Sequence, residues 1–483
     1  MVGVRHVAVV GGGVSGLATA YRLTRTGDPG VGDLGVTVLE AEPRLGGKVA
    51  EADVGGIVVD TGPDALMVRS PAALRLVTEL GLEDSLRPPS GAGAFLWSRG
   101  RLRPLPPGSV FGVPDKLIPL LRSGLLDPLG FVRAGADLVL PRRDGEGDPT
   151  IEQLLRPRFG RQVYERLVEP LLGGVHAGRA GRLSARSAAA EVMALAAGHR
   201  SLYLALRERK RKATGGPPPR PALMSLVGGL PRLVGALAEA VDAAGADLRT
   251  GAKVREIAPR DGRYLLSGDG FEPLWADDVV ITTPAWAAAD LLRPAAPAAA
   301  DALARIEYVG VATVIMAYPR TALPPGLRGT GFLVPPVEGK LLVGCTWLTE
   351  KWPHLVEGAP GAASRADAPV LIRAMVGRDG DQAWVGLDDD ALLAAVRAEL
   401  ADAMGLHAEP SAVSIRRMPA AMPQYTVGHA DRLAAIDAAL EGLPGVRVTG
   451  AGYRGVGLAG CITQAEAAAA AVVARVAQEV PAR

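Results

Sequence analysis

Three glycines near the start of the chain have the spacing of a phosphate-binding turn. Gly11, Gly13 and Gly16 form a GxGxxG pattern directly after VRHVAVV, an apolar run typical of a buried strand. In such a turn the first glycine permits the bend, the second lets backbone approach a pyrophosphate, and the third allows close helix packing. The helix that follows, LATAYRL, then directs its N-terminus at the phosphates. The pattern therefore predicts a dinucleotide-binding turn.

An acidic residue stands at the end of the second apolar strand. Glu40 closes VTVLEA (36–41), where a carboxylate can accept hydrogen bonds from both hydroxyls of an adenosine ribose. It lies 24 residues beyond Gly16, and a turn-rich insert at 27–35 accounts for the extra length. The two strands and the helix between them predict a βαβ unit that opens the chain.

Further glycine-rich segments indicate that the ligand is larger than a simple dinucleotide. RLGGKV (44–49) supplies a cation and flexible backbone, which suit a second phosphate and a flavin ring. DTGPDAL (60–66) adds a stiff turn, and VTGAGYRGVGLAG (448–460) adds a second helix N-terminus. Because these motifs are widely separated, we predict FAD held at its two ends by different parts of the chain. The predicted cofactor-binding residues are Gly11, Gly13, Ser15, Gly16, Glu40, Ala41, Arg44, Gly46, Gly47, Lys48, Gly62, Pro63, Asp64, Val254, Gly452 and Gly457.

Length, composition and charge limit the class of protein. A chain of 483 residues predicts more than one domain, and 48 % hydrophobic with 22 % charged residues is typical of a globular protein. The 53 basic and 51 acidic residues leave a net charge of +2, which argues against nucleic acid as a partner. Two cysteines cannot form a disulfide framework, and neither an export signal nor a long apolar window is evident. We therefore expect a cytoplasmic protein.

These elements predict an α/β fold with three parts. A Rossmann-like, two-dinucleotide-binding FAD domain would comprise residues 1–74, 220–288 and 431–483. Residues 75–219, with short apolar pieces broken by proline, predict an inserted helical region, and the strand-like runs of 289–430 predict an antiparallel-sheet substrate domain. The alanine-rich AEAAAAAVVARVA, about 13 residues, predicts a packed C-terminal helix that is too short to cross a bilayer.

The ordered motifs resemble a known superfamily. VAVVGGGVSGLATAYRL, EAEPRLGGKV, DTGPDAL, MSLVGGLPRL, VVITTPAWAAADLL and GAGYRGVGLAGCI together resemble the flavin-containing amine oxidases, a group that includes phytoene desaturases. Within it GVHAGRAGRLSARS, GTGFLVP and especially MPQYTVGH resemble the oxygen-dependent protoporphyrinogen and coproporphyrinogen oxidases. The resemblance extends over nearly the whole chain.

The resemblance implies a six-electron oxidation of a porphyrinogen to a porphyrin in haem biosynthesis. Dioxygen would be the acceptor, hydrogen peroxide the by-product, and ferrochelatase a neighbour in the pathway. Val456 and Leu458 would contact the flavin. The residues implied to line the tetrapyrrole pocket are Gly174, Gly331, Leu333, Thr346 and Met375.

One position departs from the pattern of the family. Ala94 stands where eukaryotic-type relatives have an arginine that binds a propionate. Arg69, Arg99 and Arg101 are then the candidate propionate ligands, because guanidinium groups suit carboxylates. The departure favours coproporphyrinogen III, which has four propionates, over protoporphyrinogen IX.

Other functions stay open on the residues alone. An amine oxidase or carotenoid desaturase is one alternative, although Tyr425 and Tyr453 are the only obvious candidates for an amine-binding aromatic cage. A non-catalytic binding protein of the GDI type is another. No metal-ligand motif is evident, and His176 is the single weak candidate for a catalytic base. Cys461 lacks the aromatic neighbour of covalent flavin attachment, so we expect non-covalent FAD. LIPLLRSGLLDPLGFV (117–132) could lie against a membrane surface, and the oligomeric state is not predicted.

Overall fold

The computed structural model describes residues 5–25, 34–107, 109, 112–140, 147–213, 221–324, 328–357 and 368–479. Most of the predicted insert at 27–35 and the predicted domain boundary at 219/220 lie outside these residues. The boundaries of the three predicted parts therefore remain predictions.

The strands are short in the first half of the chain and longest in the second. They are β1 Arg5–Val10, β2 Leu34–Leu39, β3 Glu51–Asp53, β4 Val58–Asp60, β5 Leu66–Met67, β6 Leu86–Arg87, β7 Phe95–Trp97, β8 Leu102–Pro104, β9 Leu223–Leu226, β10 Asp247–Arg249, β11 Lys253–Arg260, β12 Arg263–Asp269, β13 Leu274–Ala276, β14 Asp278–Ile281, β15 Tyr308–Tyr318, β16 Gly331–Leu333, β17 Leu342–Trp347, β18 Val370–Val376, β19 Ala412–Pro423 and β20 Val446–Val448.

Helices are densest from Leu117 to Ala213, and the longest helix lies at the C-terminal end of the described residues. They are α1 Val14–Leu23, α2 Pro71–Glu79, α3 Leu117–Ser123, α4 Pro128–Gly135, α5 Ile151–Phe159, α6 Arg161–Val163, α7 Glu169–His176, α8 Ala185–Ala188, α9 Ala190–Gly198, α10 Leu202–Ala213, α11 Pro231–Ala243, α12 Ala285–Leu292, α13 Pro297–Ala304, α14 Leu348–Lys351, α15 Asp389–Met404, α16 His429–Leu440 and α17 Leu458–Glu479.

A parallel sheet of five strands, in the order β10-β2-β1-β14-β20, forms the first layer. The strands β1, β2 and β14 are rich in apolar residues, because both faces of the sheet are covered. Helices α1, α11 and α17 pack on one face, and helices α12, α13 and α16 together with the sheet β11-β12-β13 pack on the other. The chain order reverses beside β1, so the turns after β1 and β14 border one crevice at the carboxyl ends of the strands. The predicted Rossmann-like sheet is confirmed.

A second sheet has seven strands in the order β19-β15-β18-β17-β16-β7-β8. All its pairs are antiparallel except β16 with β7, which confirms the mixed α/β fold class with a second, mainly antiparallel sheet. The β7–β8 hairpin comes from residues 95–104, inside the segment predicted to be mostly helical. It joins this sheet through a pairing with residues more than two hundred positions away, which local sequence patterns do not encode.

The C-terminal helix is longer than its alanine-rich run suggested. α17 has 22 residues and extends about 33 Å at 1.5 Å per residue, so the prediction of a helix too short for a bilayer was wrong in length. Its buried side chains, Ile462, Ala465, Ala469 and Val472 among them, pack in the same apolar cluster as α1. No helix among the described residues combines the length and apolar character needed to cross a membrane.

Candidate active site

The first glycine turn has the geometry that its sequence requires. Gly11 has a φ of +110°, a conformation open mainly to glycine, and a methyl group at Gly16 would lie 1.8 Å from the carbonyl oxygen of Gly11. A methyl group at Gly13, in contrast, would meet no protein atom within 4 Å. No side chain caps the N-terminus of α1. The turn therefore offers free N–H groups and an open approach, which suit a pyrophosphate.

Glu40 follows β2 and is aimed at the same turn. Its Oε2 accepts a hydrogen bond of 2.6 Å from the Gly12 N–H, and its Oε1 accepts one of 2.9 Å from Glu42 N–H. Each carboxylate oxygen retains a lone pair for a ribose hydroxyl. The Ala252 N–H donates to the Glu40 carbonyl, two residues before the predicted Val254, which is buried, whereas the predicted Ala41 is exposed.

The RLGGKV segment lies directly against the first turn. The Gly46 N–H donates to the Gly12 carbonyl at 2.9 Å, and a methyl group at Gly47 would lie 3.5 Å from Cα of Gly13. The guanidinium of Arg44 donates to the carbonyls of Gly47 at 2.7 Å and Val49 at 3.0 Å. These bonds stabilise the loop, and the exposed side chain keeps further N–H donors, so its contact with a phosphate stays a prediction.

Lys48 connects the segment to the second sheet. Its ammonium group donates to the carbonyl of Ala421 and lies 5.7 Å from the centre of the Tyr308 ring. Burial lowers the pKa of Lys48. A methyl group at Gly62 would lie 2.2 Å from the Lys48 carbonyl, so the DTGPDAL turn packs tightly against Lys48 at this glycine. The structure therefore brings Lys48 and Gly62 together, and Pro63 follows Gly62 in the partly exposed part of the turn.

The carboxylate of Asp64 has three hydrogen-bond donors around it. Its Oδ2 accepts hydrogen bonds from Arg373 at 2.9 Å, from Lys351 at 3.1 Å and from Nε1 of Trp352 at 3.0 Å. Burial alone would raise the pKa of Asp64, but the charges of Arg373 and Lys351 hold it well below its usual range. The carboxylate therefore belongs to a buried ion cluster inside the protein, and the predicted contact of Asp64 with the cofactor stays a prediction.

The last glycine-rich segment returns to the first turn. We call residues 450–457 the flavin loop. A methyl group at Gly450 would lie 3.5 Å from Oγ of Ser15, and one at Gly452 would lie 2.7 Å from the Tyr308 hydroxyl. Gly457 has open space beside it, and Val456 and Leu458 on either side are partly exposed. The structure therefore brings the first and last predicted motifs to one crevice.

The residues implied for the substrate pocket lie on three neighbouring strands. Each strand is buried except at one position, which is Leu333 in β16, Thr346 in β17 and Met375 in β18. Leu333 pairs with Gly344, and Gly344 pairs with Met375. These side chains therefore form one partly open surface of the second sheet.

Two glycines complete this surface. Gly331 pairs with Thr346 in the ladder between β16 and β17. A methyl group at Gly174, near the end of α7, would lie 3.3 Å from Cδ2 of Leu333, so the helical region closes over the strands at this point. All five implied pocket residues are thus near neighbours in the structure.

The candidate propionate ligands do not join this surface. Arg69 is exposed after β5, which pairs with β9 in another sheet. Arg99 and Arg101 lie at the tip of the β7–β8 hairpin, where the Arg99 guanidinium donates to Gln162 at 3.3 Å. Ala94 precedes β7 at the other end of the hairpin. Among the described residues, no contact joins any of these three arginines to Leu333, Thr346 or Met375.

His176 ends α7, two residues after Gly174. Its side chain is buried, and Nδ1 has no hydrogen-bond partner. Burial lowers the pKa of His176 to about 4, so the ring is neutral at physiological pH. The centre of its ring lies 6.4 Å from that of Tyr425, whose hydroxyl forms a hydrogen bond with the flavin loop.

Several residues of the site are absent from the predicted binding residues, although Thr282, Tyr425 and His429 lie within motifs that carry the family resemblance. Thr282 follows β14 and donates through its hydroxyl to the Gly11 carbonyl at 2.9 Å, and Tyr308 packs between Lys48 and Gly452. Tyr425 and His429 bond the backbone of the flavin loop. The position of Thr282 at the carboxyl end of a parallel strand is the one signal that topology could have supplied.

A parallel sheet with a glycine turn, a ribose-directed carboxylate and a second glycine loop defines a dinucleotide-type flavin site. The chain belongs to the flavin-containing amine oxidoreductase family, whose family model matches residues 14–473, and it is a flavin oxidoreductase.

Particular relatives are similar over nearly the whole length. The chain is 33 % identical to the coproporphyrinogen III oxidase of Bacillus subtilis over 470 residues, which cover 96 % of this chain and 97 % of the relative. It is 34 % identical to the coproporphyrinogen III oxidase of Mycobacterium leprae, covering 98 % and 99 %. It is 30 % identical to the chloroplastic protoporphyrinogen oxidase 1 of Arabidopsis thaliana, covering 94 % and 85 %.

Solved structures agree with the fold. A crystal structure from Exiguobacterium sp. 255-15, provisionally named a protoporphyrinogen oxidase, has a TM-score of 0.86 at 32 % identity and covers 98 % of this chain and all of its own. Cyclohexylamine oxidase from Brevibacterium oxydans has a TM-score of 0.66 at 18 % identity, covering 98 % and 99 %, a likeness of fold alone.

Proposed function

We propose that the protein is an FAD-dependent oxidase that converts a porphyrinogen to a porphyrin, with coproporphyrinogen III as its preferred substrate. The observation that carries the proposal is the row Leu333, Gly344 and Met375, which crosses three strands beside Gly174 and in which the Leu333 and Met375 side chains are partly open. The row offers an apolar surface suited to a large flat macrocycle. The names of the relatives in Bacillus and Mycobacterium support the substrate class and the preference.

The residues at the first turn fit FAD. The uncapped N-terminus of α1 would receive the pyrophosphate, Glu40 would accept the ribose hydroxyls, and the open space at Gly13 and Gly457 leaves room for the cofactor. When bound, FAD supplies a two-electron acceptor that dioxygen can reoxidise. The proposed overall reaction removes six hydrogen atoms from the porphyrinogen and reduces three molecules of dioxygen to hydrogen peroxide.

We propose that the FAD is held non-covalently. Cys461 is buried in α17, and burial raises the pKa of its thiol, so the nucleophilic thiolate is disfavoured. Acid precipitation should release free yellow flavin into the supernatant. Flavin that stays with the precipitate would contradict this part of the proposal.

The protein's own contribution would be positioning and a protected environment. Leu333 and Met375 would pack on the macrocycle and exclude water from it. His176 is neutral and buried near Gly174, so it could accept a proton from the substrate. His176→Ala should lower kcat by about 100-fold, within the range of general-base contributions. A variant with full turnover would exclude this role.

Parallel turnover tests the substrate. Purified holoprotein should convert coproporphyrinogen III faster than protoporphyrinogen IX, measured as porphyrin fluorescence together with hydrogen peroxide. Leu333→Phe should raise KM several-fold by filling the row, whereas Val385→Phe, at a site that is 59 % exposed, should leave KM unchanged. Equal rates would contradict the preference, and no fluorescence with either substrate would contradict the function.

The geometry of the site gives little support to the alternative functions. Tyr425 is 3 % exposed and Tyr453 is 1 % exposed, and the Tyr425 hydroxyl is bonded to the flavin loop, so this pair is poorly placed for an amine-binding cage. A non-catalytic binding protein would lack a flavin absorbance band after purification. A preparation without flavin, and unable to take it up, would favour that alternative.

We also propose a peripheral contact with an anionic membrane surface. Leu129 and Val132 on α4 are 82 % and 72 % exposed, and Ile118 on α3 is 63 % exposed. The cations Lys116 and Arg207 border a groove of about 690 Å³ next to Ile118. Vesicles containing phosphatidylglycerol should co-sediment the protein, whereas the double variant Leu129→Ser, Val132→Ser should stay in the supernatant. Native protein that also stays in the supernatant would exclude the contact.

A further inference from the structure

Two side chains of a distant segment form hydrogen bonds with the backbone of the flavin loop. The hydroxyl of Tyr425 donates to the carbonyl of Ala451 at 2.8 Å and accepts from the N–H of Gly455 at 2.8 Å. Nε2 of His429 lies 2.8 Å from the carbonyl of Tyr453. Three backbone groups in alternate residues of the loop are therefore bonded to one pair of side chains.

The two side chains support each other. The Tyr425 and His429 rings are stacked, with centres 4.0 Å apart and planes 15° from parallel. Because a carbonyl can only accept, Nε2 of His429 carries the proton, and buried Nδ1 has no partner. Burial lowers the pKa of His429 to about 4, so this neutral donor form is present at physiological pH.

The same segment also contacts the helical region. The Ser184 N–H donates to the carbonyl of Tyr425 at 2.8 Å, and Leu183 bridges to Thr426. One residue earlier, the Gln424 amide donates to the carbonyl of His176 at 2.9 Å. Residues 424–429 therefore join the helix that carries Gly174 and His176 to the loop on the flavin side.

We propose that Tyr425 and His429 are positioning residues that fix the flavin loop against the isoalloxazine ring and so set the affinity and reduction potential of the flavin. The inference rests on the proposed function only in assigning a flavin to this loop. Gly455 has a φ of +148°, and a methyl group there would lie 3.0 Å from Cα of Gly460, so the loop has a tight, unusual conformation. Hydrogen bonds from Tyr425 and His429 keep that conformation populated.

Tyr425→Phe keeps the ring stack and removes both hydroxyl bonds. We expect its FAD dissociation constant to rise about tenfold and its flavin midpoint potential and visible absorption band to shift. Tyr264→Phe is the matched control. The buried Tyr264 hydroxyl donates a hydrogen bond of 2.7 Å to the Pro444 carbonyl, which lies outside the flavin loop. This variant should leave affinity, potential and band unchanged.

His429 provides the second arm of the experiment. His429→Leu should reproduce the shifts of Tyr425→Phe, and His429→Gln, whose amide can donate to the Tyr453 carbonyl, should restore most of the native values. If Tyr425→Phe does not fold, the comparison of the two His429 variants decides alone. Native affinity and potential in both Tyr425→Phe and His429→Leu would overturn the inference. These readouts need no porphyrinogen, so a failure of the proposed substrate would not mimic a failure here.

Discussion

The guanidinium of Arg373 lies 2.9 Å from Oδ2 of Asp64, and both side chains are almost completely buried. The bond joins the turn of the DTGPDAL motif to strand β18. Arg373 also donates to the carbonyl of Gly62 at 3.0 Å, so the same side chain holds two points of that turn. Met375 lies two residues further along β18 and therefore on the same face as Arg373. One ion pair thus fixes the flavin-side turn relative to the strand of the candidate substrate pocket.

Removing the negative charge of this pair should strongly destabilise the fold. In Asp64→Asn the buried Arg373 and the nearby Lys351 lose their counter-charge, which costs about 3–5 kcal/mol when a buried pair is broken. The free energy of unfolding from denaturant titration measures this. Asp301→Asn, in the exposed pair with Arg293, should change it by less than about 0.5 kcal/mol. Equal effects of the two substitutions would show that the buried cluster contributes no more to the free energy of unfolding than an exposed ion pair does.

Asp60 should make stability depend on pH. Burial raises its pKa to about 7, although the Leu230 N–H bonded to Oδ1 at 3.0 Å opposes this. The folded pKa lies above the unfolded value of 3.8, so the stabilising contribution is complete below pH 4 and is lost as pH rises towards and through 7.

Asp60→Asn keeps the acceptor for Leu230 without the titration. The margin by which its Tm exceeds the native Tm should be larger at pH 8 than at pH 5, in a calorimetric scan. Asp290→Asn, at an exposed carboxylate, is the control, and its Tm should differ from the native Tm by the same amount at pH 5 and at pH 8. A Tm difference for Asp60→Asn that does not grow with pH would contradict the raised pKa.

Two glycines of the first turn should respond differently to alanine. Gly13→Ala meets no protein atom within 4 Å and keeps an ordinary φ of −73°, so the protein should fold with near-native Tm when free of flavin. The added methyl would occupy the approach to the pyrophosphate and raise the FAD dissociation constant at least about tenfold. Gly16→Ala places a methyl 1.8 Å from the Gly11 carbonyl oxygen and should lower Tm even without flavin. Native flavin affinity in Gly13→Ala would show that the cofactor lies elsewhere.

The parts of the site that could be predicted depend on local geometry. Gly11 and Gly16 are required by the turn itself, so their types and spacing were sufficient to predict it. Glu40 follows from the same βαβ unit. The pocket positions Leu333, Thr346 and Met375 came from resemblance, because partial exposure within a buried strand leaves no mark in the sequence.

The parts that could not be predicted depend on contacts between distant segments. Asp64 stands in a flavin motif, but its partner Arg373 lies 309 positions away, and only the packing of two sheets brings them together. Arg44 has a charge suited to phosphate, yet its guanidinium also donates to carbonyls three and five residues further on. Tyr425 was considered for an aromatic cage and lies within the MPQYTVGH motif, but its bond to Gly455 joins residues 30 positions apart, which local patterns do not encode.

His176 should destabilise the protein in acid. Burial lowers its pKa to about 4, whereas the unfolded chain takes up the proton near 6.5. The stability that comes from this lowered pKa is fully present above about pH 6.5 and is lost as the pH falls towards 4. The loss in the free energy of unfolding is about 3 kcal/mol for this one group. His176→Gln removes this titration, so its unfolding free energy should fall less steeply between pH 6.5 and 4.5 than that of the native protein. His407→Gln, at an exposed histidine, should keep the native slope. Identical slopes for His176→Gln and the native protein would mean that the folded protein already binds the proton at His176.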